Sequence, residues 1–246
     1  MKRPHRLALG VAAAFLAALV LFYHYGRPLW HPVYSMMHGR RTCAEALTEC
    51  APAADARLRP HFDAARASFK PSQIALLVFK QEKTLELWAR ERGSWLPVRT
   101  YPILAASGRP GPKLREGDRQ VPEGIYSVVE LNPNSSYHLS MKLDYPNEYD
   151  QAKARLDGRT QLGGDIFIHG SDQSIGCIAV GDEAIEELFV LAGRMTPMDV
   201  PVIIAPNDIR GGKPAIADPQ APPWVTELYG HIRTALQPFE PPGRAD

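Results

Sequence analysis

The sequence predicts a mainly β chain with a few helices, an α+β fold, and three observations carry that prediction. Short runs of β-branched and aromatic residues recur between positions 74 and 204, and clusters of Gly, Pro, Asn and Asp separate them. Helical periodicity is confined to the flanking segments and to one stretch after Cys177. The 246 residues are 45% hydrophobic and 22% charged, enough apolar material for a sizeable core, and this composition excludes disorder, collagen and coiled coil. With 28 basic against 27 acidic residues the net charge is +1, so no overall field gathers nucleic acid and none is expected as a partner.

In chain order, Lys2, Arg3 and Arg6 precede an uncharged apolar run over 7–22, the order of a secretory signal or an N-terminal anchor. The aromatic residues that follow lack the small-x-small pattern of a cleavage site. An uncleaved inner-membrane anchor over 1–26 is therefore expected, with signal cleavage and release to the periplasm as the alternative. Residues 27–70 read as a spacer with helical hints at 43–49 and 57–69, broken by Pro52 and Pro60. A β-hairpin (74–79 and 84–88) opens the main domain, 71–206, and further strands read at 96–104, 124–130, 137–143, 165–169, 177–180 and 200–204.

One helix follows Cys177, with Asp182 as its cap, Ile185, Leu188, Phe189 and Ala192 on one face, and Gly193 as its stop. Eight prolines fall within the last 41 residues, so the segment 207–246 is extended apart from a helix near 224–236. Cys43, Cys50 and Cys177 permit at most one disulfide. Cys43 and Cys50 on one straight helix would lie about 10 Å apart, too far to bridge, so pairing requires a turn between them.

Chemistry concentrates in the stretch from Asp165 to Val180, which puts His169 at the end of one strand and Cys177 at the start of another. If those strands pair, His169 can hydrogen-bond the thiol and lower its pKa from about 8.5, making a thiolate nucleophile. Gly176, without a Cβ, lets the backbone turn and bring N–H groups to an oxyanion, and Gly170 frees the chain after His169. A buried structural cysteine beside a core histidine is the competing reading.

The stretches Gly111-Pro-Lys-Leu-Arg-Glu-Gly-Asp118, Pro122-Glu-Gly-Ile-Tyr126, Tyr137-His-Leu-Ser140, Tyr145-Pro-Asn147, Ile168-His-Gly170 and Ser174-Ile-Gly-Cys177 together resemble the L,D-transpeptidase catalytic domain, the YkuD family, and within it the YafK-like branch. The resemblance covers roughly 74–204. It implies a β-sandwich-like catalytic domain without a cofactor, with Cys177 as the acylated nucleophile, His169 as its base and the Gly170 carbonyl orienting the imidazole. Ser174, Ile175 and Gly176 would shape the nucleophile loop and the oxyanion site. Two departures fit the YafK-like branch: Ile175 replaces a second His, and the His-to-Cys spacing is eight where the common pattern has a number in the mid-teens.

The implied substrates are peptidoglycan peptide stems, by transpeptidation or by hydrolysis. Release of a wall-linked lipoprotein is the activity of some YafK-like members, and a non-catalytic wall-binding module is the reading from another class. His138 and Ser140 fall on the polar face of their strand and are candidates to line the site. Lys113, Arg115 and Arg119 sit in a Gly/Pro-rich loop where they can receive stem carboxylates, or read as an ordinary solvated loop. No spacing in the sequence fixes a metal site through His138, His169 and Cys177.

Overall fold

A computed structural model describes residues 3–26, 29–30, 33, 36–37, 39–195 and 200–239. It divides into two compact units, Met1–Arg41 and Thr42–Asp246. The first carries α1 (Arg3–Tyr25), which turns Val11, Phe15, Leu16 and Leu19 outward. Among the described residues no helix is long and apolar enough to cross a membrane. The uncharged run over 7–22 rises about 24 Å at 1.5 Å per residue, against a hydrocarbon core of about 30 Å.

The second unit opens with α2 (Cys43–Ala65), one continuous helix where two broken pieces are expected. Pro52 and Pro60 lie inside it, each removing a hydrogen bond at a cost of about 3 kcal/mol. A capping box between Thr42 and Glu45 starts the helix, and the stripe Ala46, Cys50, Ala54, Leu58 and Phe62, spaced by four, is buried along it. Burial of that stripe in the main core outweighs the two prolines. The helix therefore belongs to the same compact unit as the sheet, and no break in packing falls at 70/71. Cys43 and Cys50 share this helix without a turn between them, and no disulfide joins them.

Nine strands follow: β1 (Ile74–Phe79), β2 (Thr84–Glu91), β3 (Ser94–Pro102), β4 (Ala105–Ala106), β5 (Gly124–Ser135), β6 (His138–Leu143), β7 (Phe167–His169), β8 (Ile178–Ala179) and β9 (Pro201–Ala205). They run in one continuous order, β3-β2-β1-β9-β5-β6-β7-β8-β4, in which β5 belongs to two sheets, one with β9, β1, β2 and β3 and the other with β6, β7, β8 and β4. The long β5 makes it continuous, pairing with β9 through Gly124–Ser127 and with β6 from Val128 onward, with register shifts between. The two ends of the order meet again in sequence: the Ile103 N–H donates to the Lys83 carbonyl beside β2, and the Leu104 N–H donates to Ala179 on β8. The sheet is thus curled until its edges share one crossing.

Both faces of the first half are covered, which is why β1 is buried along its whole length. Ile74, Leu76 and Val78 face the main core with α2 and α4 (Asp182–Gly193), while Ala75, Leu77 and Phe79 face α5 (Val225–Leu236). The α4 face of Ile185, Leu188, Phe189 and Ala192 is buried, but its N-cap is Gly181, not Asp182, which is the first helical residue. A helix not read from the sequence, α3 (Glu148–Leu156), starts at a capping box of Asn147 with Asp150.

The fully buried Glu187 on α4 joins three elements. Its carboxylate accepts from Arg57 of α2 at 2.7 Å, and from Arg99 and Tyr101 of β3 at 2.7 and 2.9 Å. Replacing Glu187 with Ala leaves the partly buried Arg99 guanidinium and the buried Tyr101 hydroxyl without their acceptor, while Arg57 keeps Glu186, and denaturant unfolding is expected to show a loss of about 3 kcal/mol. A loss below about 1 kcal/mol would mean the cations find other partners.

Burial pushes the Asp150 carboxyl up to about 6, against the hydrogen bonds from the Asn147 N–H and Tyr126 hydroxyl. The native state therefore holds a proton that the unfolded chain has already lost, so this group's stabilisation fades as pH rises from about 4 through about 6. Relative to Asp150→Asn, the wild type is expected to lose about 3 kcal/mol over that window in pH-dependent unfolding. Parallel profiles for the two proteins would refute this.

Candidate active site

The register of β7 against β8 sets the site. These strands pair in parallel, Ile168 with Ile178 and His169 with Ala179, and the two isoleucines point into the main core. Side chains alternate along a strand, so His169 and Ala179 lie on the opposite face, and Cys177, two residues before Ala179, shares it. Two residues of offset across one strand spacing separates the Cα atoms of His169 and Cys177 by about 8 Å. The eight-residue connection makes this parallel pair without a crossover helix.

His169 is buried and oriented from two sides. Its Nδ1 lies 2.6 Å from the Gly170 carbonyl, so Nδ1 carries the hydrogen and Nε2 is left as the lone-pair nitrogen. Tyr137 stacks on the ring, with centroids 4.7 Å apart and planes inclined at 30°. Gly170 is required sterically, because a Cβ there would lie 2.5 Å from Asp182 Oδ1 and 2.6 Å from the Tyr137 carbonyl. Asp182 in turn accepts the Ser171 N–H at 2.7 Å, tying the loop to the start of α4.

The strands pair as the spacing suggests, yet the thiol is not bonded to the imidazole. Among the described residues Sγ of Cys177 hydrogen-bonds the Asp165 carbonyl, at 3.7 Å. Burial pushes the Cys177 thiol up, against a backbone hydrogen bond at Phe167 and the nearby Lys113 charge, and burial pushes His169 down. Both shifts favour neutral groups, the opposite of the thiolate and imidazolium expected from adjacency alone.

The donors anticipated for an oxyanion are also occupied. The Gly176 N–H donates to Ser107 Oγ at 2.7 Å and the Cys177 N–H to Ser174 Oγ at 3.0 Å. Ser174 donates back to the Cys177 carbonyl, so its hydroxyl closes the 174–177 turn. Gly176 has φ of +93°, a conformation its residue type permits, while Ile175 beside it is 74% exposed. Arg119, His138, Asp165 and Ser171 also hold positive φ without being glycine, and such strain gathers where a surrounding structure enforces it.

Ser140 is buried and paired directly opposite His169 across β6 and β7. His138 turns elsewhere: its Nε2 lies 2.9 Å from Glu186 on α4, and Glu186 binds Arg57. Leu139, Met141 and Leu143 fill the core as the alternation predicts, but Tyr137 leaves that set to cover His169. Lys113 is buried and held by Asp118 at 2.6 Å and the Arg115 carbonyl at 2.9 Å, and the Arg115 side chain is exposed. Tyr126 is core, bonded to Asp150. Among the described residues no group of three or more His, Cys, Asp or Glu is placed to hold a metal ion.

Ser107, Tyr137, the Asp165 carbonyl and Asp182 are the site components that the sequence did not single out. Lys80 braces the neighbouring 109–123 segment. Its buried ammonium binds Glu123 at 2.8 Å and the carbonyls of Gly111 and Val121 at 2.9 and 3.0 Å, which anchors both ends of the loop bearing Lys113, Arg115 and Arg119.

Residues 73–204 match the YkuD family, described as the L,D-transpeptidase catalytic domain. Over 120 residues the chain is 37% identical to the Escherichia coli K12 protein named "Putative L,D-transpeptidase YafK", covering 48% of this chain and 46% of that protein. The chain thus spans about half the length of the curated relative. Among solved structures, the helical cell shape determining protein Pgp2 from Campylobacter jejuni is 24% identical at a TM-score of 0.46, covering 63% of this chain and 56% of that one. Mycobacterium tuberculosis L,D-transpeptidase 1 is 12% identical at a TM-score of 0.32, covering 54% and 61%.

With the thiol raised and the imidazole lowered, alkylation of Cys177 by iodoacetamide, read by peptide mass mapping, is expected to have a midpoint above that of free cysteine, about 8.5. A midpoint near 6 would demonstrate a preformed ion pair instead.

Proposed function

The chain belongs to the L,D-transpeptidase catalytic domain family, and on that premise we propose that it is a cysteine acyl-transfer enzyme acting on peptidoglycan peptide stems. The single observation that supports this reading beyond membership is the β7–β8 register, which sets His169 and Cys177 on one face with the imidazole tautomer fixed.

In the proposed cycle Sγ rotates from the Asp165 carbonyl toward His169, and Nε2 takes its proton as the sulfur attacks the carbonyl of the L-centre of diaminopimelate. A C–S bond forms while the C–N bond breaks, and the imidazolium returns the proton to the departing amine. Neutral resting partners suit this order, because charge separates only when the electrophile is present. The Gly176 and Cys177 N–H groups hold the oxyanion after Ser107 and Ser174 give way.

An amine acceptor on a neighbouring stem then yields a 3→3 cross-link, whereas water yields trimming. The short 170–177 loop and exposed Ile175 favour keeping hydrolysis, including release of a wall-linked lipoprotein, as the second reading. The proposed location is the periplasm. The basic residues before the apolar run over 7–22 support export, with the segment either kept as an inner-membrane anchor or cleaved.

Mass spectrometry of tetrapeptide muropeptides and lipoprotein-bearing sacculi incubated with the protein tests the reading. Cys177→Ala is expected to lower product formation by roughly 10³-fold or more while the fold is kept. Dimers made only by the wild type establish transpeptidation; tripeptides or freed lipoprotein without dimers establish hydrolysis. Products that persist in Cys177→Ala refute the mechanism.

A further inference from the structure

A cleft of 830 Å³ lies between the 108–120 loop and the C-terminal segment at 218–222, and neither Cys177 nor His169 lines it. Arg109, Arg115 and Arg159 contribute cations to its wall, and Asp118 and Asp218 contribute carboxylates. Those carboxylates are already engaged. Asp118 accepts from Lys113 and from the N–H groups of Leu114, Arg115 and Gln120, and Asp218 accepts from Arg109 at 2.9 Å and from the Gln220 N–H.

Two of the three cations, Arg109 and Arg115, have hydrogen-bonding capacity to spare. The Arg115 guanidinium has no partner among the described residues, and Arg109, 71% exposed, uses one edge on Asp218. Arg159 is committed to the wall itself, with two of its nitrogens on Asp157 at 3.0 and 2.9 Å and the third on the Leu114 carbonyl at 2.7 Å. The unmet hydrogen-bonding capacity of the cleft is therefore cationic, in the forked form that suits carboxylates. Pro110, Pro112, Ala221 and Pro222 supply flat apolar faces between these groups.

The wall is preformed. The Gln120 side chain accepts from the Arg109 N–H at 2.8 Å and donates to the Gly111 carbonyl at 2.7 Å, so the loop is rigid before any ligand arrives. Its other side meets the nucleophile loop: a Cβ on Gly176 would lie 3.6 Å from the Gln120 carbonyl oxygen and 3.8 Å from the Arg119 carbonyl carbon. One thickness of backbone thus separates the cleft from the segment that carries Cys177.

We infer that this cleft is a second recognition site for a carboxylate-bearing peptide segment, which holds one end of an extended substrate across the Arg119–Gln120 backbone from the thiol. Taking that peptide to be a cell-wall stem rests on the function proposed above; the preference for carboxylates rests on the cleft alone.

Calorimetric titration of the full chain bearing Cys177→Ala separates the two. The probes are the free-acid tetrapeptide stem and the same peptide with its carboxylates amidated. The acid is expected to bind at least tenfold more tightly than the amide. Arg109→Gln with Arg115→Gln should weaken the acid about tenfold or more without changing the amide. Ala221→Trp, which fills the cleft, should weaken the acid similarly, with thermal melting to show that this variant is folded. Acid affinity unchanged by the arginine pair, or equal affinity for acid and amide, overturns the inference even if Cys177-dependent products form. Charge-dependent binding that both variants weaken upholds it even if no product forms.

Discussion

The buried Glu187 carboxylate is the joint on which the catalytic unit depends. It draws Arg57 from α2 and Arg99 and Tyr101 from β3 onto α4, and the adjacent Glu186 adds His138 of β6. An unpaired charge there would be costly, so the helix has one low-energy seat against the sheet. That seat is transmitted forward. Asp182, on the first turn of α4, accepts the Ser171 N–H and packs against Gly170, so seating α4 also fixes the loop that links His169 to Cys177. An ion network on α4 thus helps to fix the 170–177 loop.

The resting site is quiet in the electrostatic sense. Burial disfavours charge on both the sulfur and the ring, and serine hydroxyls from two different loops satisfy the backbone donors beside the sulfur. A thiolate is the form that oxidants and adventitious electrophiles attack, so a thiol held neutral by burial is chemically safer. The hydroxyls keep the two N–H groups from being orphaned meanwhile. The same groups that would stabilise a reaction intermediate therefore contribute to the stability of the free protein.

Much of this was legible in the residues. Alternation and turn chemistry located the strands within a few positions, the face of α4 followed from its spacing, and the strands that flank the 170–177 loop pair as the reading required, though without the bond from His169 to the thiol. What was hidden depended on distant partners. Pro52 and Pro60 read as breakers because local propensity argues for a break, and only the buried stripe on α2 shows why the helix continues. The local signal for α3 is the capping box of Asn147 with Asp150. The rotation of Sγ toward Asp165, and the reach of Ser107 to Gly176, have no signature in spacing, since each joins segments brought together only by the curled sheet.

That curl also concentrates a vulnerability. Ile103 and Leu104 bond to opposite ends of the strand order, so the two edges that an open sheet would keep far apart converge on a single dipeptide. Unpaired edges are templates for intermolecular pairing. Here one seam guards both. A protease cut or an insertion between positions 102 and 105 would unlatch β3 and β4 together, and the result would be two adhesive borders released at once in a chain whose remaining core is still largely intact.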